Sequence, residues 1–278
     1  MLPPSLSQRP VLAFLTDFGS TDGYAGIMKG VVLTITSDVH LVDLSHEVPP
    51  QQVAAGAWVL STCYHYFPPG TIFVCVVDPG VGSARRPIAL HAGNWFFVGP
   101  DNGLFSYVLA DQPVHEAVVL ANSAYHLPQV STTFHGRDVF SPVAAHLASG
   151  VSLSAFGPRV EASSLQRLDT GLPIHENGQI TAHIVHIDHF GNLITNIPFS
   201  MVPDLFSSSL VRLTFPAQNV VVTERRRFFA TSSPEAEAIR RPFLYSNSSG
   251  YIAVAVQNGN AAQSLGVEYG DTLYCQIK

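Results

Sequence analysis

The pattern of apolar and polar positions predicts strands and helices that alternate over the first 150 residues. Short apolar runs typical of strands occupy 11–16, 40–45, 71–78 and 116–121. A further pair of such runs, typical of a hairpin, occupies 87–92 and 94–98. Apolar residues at helical spacing occupy 24–36, 51–66 and 139–149, and Gly150 is placed to end the last helix. This alternation indicates a mostly parallel sheet with helices on both faces.

The pattern changes after about residue 160. Segment 161–178 is mixed and contains Gly171, Pro173 and Gly178, as expected of a linker. Beyond it, short alternating runs separated by turn residues occupy 179–188, 193–197, 210–215, 219–224, 251–257 and 272–277. Such spacing is typical of a small antiparallel barrel or sandwich. We therefore predict an N-terminal α/β domain over 10–160, a linker over 161–178 and a C-terminal β domain over 179–278.

Composition favours a globular protein and argues against a nucleic-acid-binding or membrane-spanning one. Hydrophobic residues make up 46% of the 278 and charged residues 12%, so there is ample material for a core. A formal net charge of -6 argues against nucleic acid as a partner. The one basic run, 225–227, is expected on a surface strand or loop. No run of eighteen apolar residues occurs, so no membrane span is expected, and we predict no membrane partner. Three cysteines without a CxxC pair fit a reducing, cytoplasmic setting.

The most informative stretch is 72–86, where an apolar strand ends in the carboxylate of Asp78. In open α/β sheets, ligands bind at the carboxyl ends of the strands. The Gly-rich turn that follows can bring Arg85 back beside Asp78. Gly80-Val81-Gly82 is not a dinucleotide fingerprint, because Arg85 stands at the third glycine position and Pro87 forbids an immediate helix.

Two similar acidic turns occur at 17–19 and 188–192. Asp17 could accept hydrogen bonds from a ribose diol, or it could be an ordinary N-cap or turn residue. The turn at 188–192 could read an adenine edge, stack on a ring and hold an ammonium group. Ordinary turn chemistry, with Gly and Asn at positive φ, explains it equally well.

Histidines offer two further candidates. His135 lies at the entry to the helix at 139–149, and the Gly, Arg and Asp beside it favour a site over a purely structural role. His183, His186 and His189 are three residues apart, and such positions on a strand point to opposite faces. With no Glu or Cys to complete a zinc set, we predict no metal site there.

Together these motifs resemble the S-adenosyl-L-methionine (SAM) hydroxide adenosyltransferase family, whose relatives are the SAM-dependent fluorinases and chlorinases. The resemblance extends from about Val11 to Ile277, and its motifs lie at 15–19, 77–82 with Arg85, 99–103, 133–138, 188–192 and 247–251. It implies an N-terminal α/β domain, a C-terminal antiparallel β-barrel domain and a homotrimer. Each site would lie between the N-terminal domain of one subunit and the C-terminal domain of its neighbour.

The resemblance also implies roles for individual residues. Asp78, Arg85 and His135 would form the triad that activates water, and Asp17 would bind the ribose. The other substrate-binding residues would be Asp188 for the methionine ammonium, Phe190 for stacking, Asn192 for adenine, Ser248 and Ser249 for the methionine carboxylate, and Val256.

Departures from the halogenase branch indicate which reaction to expect. That branch has a Tyr-Pro-Ala-Thr motif near its halide pocket, where this chain has Phe67-Pro68-Pro69-Gly70, and it lacks the motif at 78–85. The fluoride enzymes also carry an insertion for which this chain has no room between Asn94 and Gly99. The resemblance therefore implies hydrolysis of SAM to adenosine and L-methionine, with no cofactor. A halide-using adenosyltransferase and a non-catalytic SAM or adenosine sensor are the alternatives.

Overall fold

The structure, a computed structural model, describes residues 9–169, 172–229 and 241–277. The chain divides into two compact units, with the division after Leu168. Within the described ranges, none of the helices has the length and apolar character needed to cross a membrane.

The first unit is built on one six-stranded sheet. Its strands are β1 (Val11–Thr16), β2 (His40–Ser45), β3 (Ile72–Val76), β4 (Pro87–Ala92), β5 (Trp95–Pro100) and β6 (Val114–Val119). Their order is β2-β1-β3-β5-β4-β6. The first four in this order are parallel, and β4 pairs antiparallel with β5 and with β6. The predicted α/β class with a mostly parallel sheet is confirmed.

Helices cover both faces of this sheet. They are α1 (Tyr24–Ile35), α2 (Val53–Cys63), α3 (Ser106–Asp111) and α4 (Ser141–Ala148). Strand β3 explains the continuous apolar run in the sequence. Phe73 and Cys75 pack with α2 and α3, whereas Val74 and Val76 pack with α1 and α4. Because both faces are covered, every side chain of this strand is buried.

The second unit is a barrel-like sheet. Its strands are β7 (Ile174–Glu176), β8 (Gln179–Ile187), β9 (Leu193–Pro198), β10 (Arg212–Phe215), β11 (Val220–Val222), β12 (Glu224–Arg225), β13 (Pro242–Ser246), β14 (Tyr251–Val256) and β15 (Thr272–Gln276). The path runs β11-β10-β15-β8-β9-β14-β13-β12, with β7 added to β8. Strands β11 and β12, at opposite ends of the path, are one almost continuous segment, so this segment closes the sheet. The β-barrel prediction is confirmed.

Several elements differ from the sequence-based expectation, including the five-residue helix α5 (Ala261–Leu265) of the second unit, which the sequence did not predict. Helix α3 was missed because it has only six residues, too few for a periodic pattern. Strand β13 was missed because it lies beside the basic, polar segment before Pro242. Strand β7 lies within the segment predicted as a linker, and all three of its residues are exposed, so its sequence carries no apolar signal.

Arginines of the basic run at 225–227 make hydrogen bonds, an ion pair and a ring contact within the second unit. Arg225 lies in β12 and donates through Nη1 to the carbonyl oxygens of Ser208 and Val211. Arg226 pairs with Glu224 and lies over the ring of Phe243.

Candidate active site

The parallel strands bring the first two acidic turns to one edge of the sheet. Thr16, the last residue of β1, pairs in register with Val76, the last residue of β3. Asp17 and Asp78 therefore leave neighbouring strands at the same carboxyl edge. This edge is the usual ligand-binding position in open α/β sheets.

Asp78 and Arg85 form a buried, bidentate ion pair at this edge. Arg85 Nε lies 2.9 Å from Asp78 Oδ1 and 3.0 Å from Oδ2, and Arg85 Nη2 also donates to Oδ2. Their side chains are only 9% and 4% exposed. The turn between them is closed by hydrogen bonds from Val81 N to Asp78 O and from Ser83 N to Gly80 O. The prediction that this turn returns Arg85 to Asp78 is confirmed.

The same guanidinium also contacts His135. Arg85 Nη2 lies 2.9 Å from His135 Nδ1. A guanidinium can only donate, so Nδ1 is the acceptor and the neutral ring carries its proton on Nε2. Burial and the Arg85 cation lower the pKa of His135 below its ordinary value of 6.5, against the opposing effect of Asp78, Asp138 and a backbone hydrogen bond with Ser131. His135 is therefore neutral at neutral pH.

Asp138 holds the loop that carries His135, a role that the sequence did not reveal. Its carboxylate is fully buried, pairs with Arg137 at 2.6 Å and accepts a hydrogen bond from Ser131 N at 2.8 Å. A π-helical turn over Gly136–Phe140 precedes α4, where the sequence predicted the helix to begin only at 139. Such turns often occur at functional sites. An Asp three residues after a candidate His, at the start of a helix, was the signal available in the sequence.

A pocket of about 430 Å³ lies at this edge of the sheet. Its lining includes Asp17, Phe18, Gln51, Asp78 and His135. Asp17 accepts a hydrogen bond on Oδ2 from the backbone nitrogen of Gln51 at 2.8 Å. The volume is in the range of small-molecule sites, and the carboxylates, the imidazole and the aromatic ring converge on it.

In the second unit, Asp188 organises its own turn. Its Oδ1 accepts hydrogen bonds from the backbone nitrogens of Phe190 and Asn192, each at 2.9 Å, and its Oδ2 accepts one from Asn192 Nδ2 at 2.7 Å. Asn192 is buried, whereas Phe190 is 72% exposed. The hydrogen bonds expected of an ordinary turn are therefore present. The roles of these three residues toward a substrate stay predictions.

The remaining predicted substrate residues lie on and beside β14. Ser248 and Ser249 occupy the turn between β13 and β14, in which Asn247 Oδ1 accepts hydrogen bonds from Ser249 N and Tyr251 N. Val256 ends β14, and its side chain is buried in the barrel core. Within the three described ranges, no group of three or more His, Cys, Asp or Glu side chains is placed to hold a metal ion.

Comparisons with known proteins identify the family. Residues 12–157 match the SAM hydroxide adenosyltransferase N-terminal domain, and residues 182–274 match the C-terminal domain of the same family. A curated relative from Salinispora tropica, named (R)-S-adenosyl-L-methionine hydrolase, is 40% identical and covers 96% of this chain and 98% of its own length. A relative from Actinoplanes sp., named fluorinase, is 27% identical and covers 88% of this chain and 90% of its own.

A solved structure is also similar to this chain over nearly its whole length. The crystal structure of an uncharacterized conserved protein from Thermotoga maritima is 33% identical, with a TM-score of 0.86, and covers 95% of this chain and 99% of its own. The two domain matches together span most of the sequence, including the pocket residues from Asp17 to His135 and the turn at 188–192. The chain therefore belongs to the SAM hydroxide adenosyltransferase family.

Proposed function

We propose that the protein hydrolyses SAM to adenosine and L-methionine. The observation that carries this proposal is the guanidinium of Arg85, which donates to Asp78 and to His135 Nδ1 beside a pocket that also contains Asp17. A protein that only bound SAM would have no need of a buried carboxylate, cation and neutral imidazole in contact. Identity of 40% to a relative named as a hydrolase, against 27% to one named as a fluorinase, supports water rather than halide as the nucleophile.

The proposed chemistry is an in-line displacement at C5′ of the adenosyl group. The oxygen of water forms a bond to C5′ while the C5′–S bond breaks. The electron pair of the C5′–S bond stays on sulfur, and methionine leaves. Water is a weak nucleophile, so it must be oriented and lose a proton. Alignment at near-attack distance lowers the barrier further. The sulfonium is already a good leaving group, so we propose no metal ion and no cofactor.

The three side chains have different roles in this scheme. An ionised carboxylate offers about four acceptor sites, so Asp78 keeps acceptor capacity for a water proton beyond its bonds to Arg85. His135 Nδ1 accepts from Arg85 and the ring also bonds the backbone of Ser131, so His135 serves first to hold the Arg85 guanidinium beside the water. Arg85 stabilises hydroxide-like charge on the attacking oxygen. Asp78 and His135 are the two candidate proton acceptors, and Asp78 is the one available in this arrangement.

We propose that the rest of the substrate is bound as the family resemblance implies. Asp17 would hold the ribose diol, Asn192 the adenine edge and Phe190 the ring face, for which its exposed side chain is suited. Asp188 would face the methionine ammonium. Ser248 and Ser249 would bind the methionine carboxylate. Val256 would contact the substrate through its backbone at the end of β14, because its side chain is buried in the barrel core. The relatives' name specifies the R configuration at sulfur, so both sulfonium epimers belong in any assay.

Hydrolysis in heavy-oxygen water tests the proposed reaction. We expect the label in the 5′-hydroxyl of adenosine, because the attacking atom is the oxygen of water. The measurement is mass spectrometry of products from each SAM epimer, with and without chloride. Unlabelled adenosine, or 5′-chloroadenosine in chloride buffer, would exclude hydrolysis at C5′ as the main reaction.

We propose that the protein is a cytoplasmic homotrimer with sites at its subunit interfaces. Free thiols at Cys63, Cys75 and Cys275 support the reducing compartment. An interface is supported by α1, where Tyr24 and Ile27, three residues apart and so neighbours on the helix surface, are 46% and 44% exposed. Surface of this kind marks protein contacts when it is contiguous.

Mixed oligomers test the proposed assembly. Asp78→Ala and Asn192→Ala change residues that would belong to different subunits of one site. When the two inactive variants are refolded together, we expect up to about a quarter of the sites to be intact, as in a head-to-tail ring. Activity assays and light scattering, with an expected mass of a trimer of 29.9 kDa chains, provide the measurements. No rescue in oligomers whose mixing is verified by mass, or a fully active monomer, would place the site within one chain.

A further inference from the structure

The backbone of Gln51 has an unusual conformation. Among the described residues, four that are not glycine have positive φ, and the other three are Asn177, Asn219 and Asn258. Asparagine tolerates the left-handed region because its short side chain can hydrogen-bond locally. Gln51, at φ 66°, has no such advantage. A strained residue persists where its surroundings require it, so its contacts indicate what the conformation does.

In this left-handed conformation, the backbone N–H of Gln51 donates to the carboxylate of Asp17. The nitrogen lies 2.8 Å from Asp17 Oδ2. The two preceding residues, Pro49 and Pro50, have no N–H, so Gln51 is the first residue after Val48 whose backbone can donate here. This N–H is a charge-assisted donor to one oxygen of the carboxylate. The other acceptor sites of Asp17 stay available to a ligand in the pocket.

The rest of the same segment also holds the turn that carries Asp17. Gly19 N donates to His46 O at 2.7 Å, and Val48 N donates to Thr16 O at 3.4 Å. These bonds fix the backbone of the turn on both sides of Asp17. The carboxylate itself is fixed by Gln51. The side chain of Gln51 is exposed and lines the pocket, so it is separable from the role of its backbone.

We propose that Gln51 is a positioning residue for Asp17 and that its left-handed backbone N–H, rather than its carboxamide, carries the effect. The N–H sets the orientation in which Asp17 meets the ribose hydroxyls of the substrate. This inference rests on the proposed function, because it assigns Asp17 to the ribose.

Two substitutions separate backbone from side chain. Gln51→Gly removes the carboxamide but keeps the N–H and accepts positive φ without strain. Gln51→Val keeps the N–H but strongly disfavours the left-handed region, because Val is β-branched. By calorimetry with adenosine, we expect Gln51→Gly to bind within about twofold of the unmodified protein. We expect Gln51→Val to bind about tenfold more weakly, as for one hydrogen bond to a charged group.

Gly70→Val is the matched control. Gly70 also has positive φ, at 84°, but it lies just before β3, at the edge of the sheet opposite the pocket. This variant should lose thermal stability as Gln51→Val does and should keep its adenosine affinity. In steady-state assays, Gln51→Val should raise KM for SAM by the same factor as it weakens adenosine binding. The variant should leave kcat within about twofold. General destabilisation does not raise KM while leaving kcat unchanged.

Asp17→Ala distinguishes a wrong ribose assignment for Asp17 from a wrong positioning role for Gln51. If adenosine affinity is unchanged in Asp17→Ala, the ribose assignment is wrong and the proposed function loses that contact. If Asp17→Ala weakens binding but Gln51→Val does not, or if Gln51→Gly weakens it as much as Gln51→Val, the positioning role is wrong. Independently of ligand, the amide proton of Gln51 should move upfield by NMR in Asp17→Ala, and an unmoved resonance would refute the hydrogen bond.

Discussion

Asp78→Asn, Arg85→Ala and His135→Gln should each lower kcat by about a hundredfold or more, the range expected for groups that move or stabilise a proton. The affinity for SAM should change much less, because none of the three is assigned to binding. Arg85 contacts both of the others, so the groups act as a unit. We therefore expect double variants to lose far less than the product of the single losses. Steady-state kinetics of the single and double variants provide the measurement.

Arg86→Ala is the matched control for this series. Arg86 is the neighbouring arginine, and it too pairs with a buried carboxylate, Asp101, with Nε 2.8 Å from Oδ2. It lies outside the pocket lining and anchors Ser164. Arg86→Ala should therefore lower stability and keep kcat within a few-fold. A His135→Gln enzyme with near-normal kcat would remove His135 from the catalytic group.

The same series has a pH signature. The pKa of His135 is lowered, chiefly by burial and by the Arg85 cation, so the ring stays neutral until the pH falls below 6.5. Protonation below that pH would place a second cation against Arg85 and break their hydrogen bond. The decrease of kcat/KM at acidic pH should therefore begin below pH 6.5. In His135→Gln, the part of this decrease that is due to protonation of His135 should be absent. A decrease unchanged in that variant would assign it to another group.

Gly82→Ala should lower kcat/KM by about a hundredfold, because a misplacement of about 1 Å can have that effect on an aligned site. Gly82 has φ 77°, and a Cβ there would overlap the carbonyl oxygen of Thr132. The two loops that meet at this contact carry Arg85 on one side and His135 on the other. An added methyl group must push them apart. Since Arg85 bridges Asp78 and His135, separation of the loops stretches the contact on which the mechanism depends.

Gly70→Ala isolates the backbone component of this effect. Gly70 has φ 84°, and a Cβ there would meet nothing within 4 Å. Both variants should lose roughly 1–2 kcal/mol of unfolding free energy from the left-handed conformation alone. Chemical denaturation measures that loss, and only Gly82→Ala should also lose activity. If the two variants are equally active, contact between these loops does not position the site.

The local pattern of the sequence determined most of the strands and the acidic turns. Strand β3 was recognisable because both of its faces are covered, which leaves an unbroken apolar run. The return of Arg85 to Asp78 was predictable because only seven residues and a Gly-rich turn separate them. The barrel was predictable from short alternating strands. In each of these cases the signal, an apolar run, an alternation or a turn, lies within a few residues along the chain.

Only the tertiary structure decided how these pieces form a site. His135 meets Arg85 across fifty positions of sequence, and Gln51 meets Asp17 across thirty-four. Asp138 was expected beside a site, but its burial and its bond to Ser131 depend on how the loop folds over α4. Asp188 could have been a ligand or a turn residue, and its bonds to its own turn appear only in three dimensions. Such contacts depend on strand order and loop packing, which residue type and spacing do not specify.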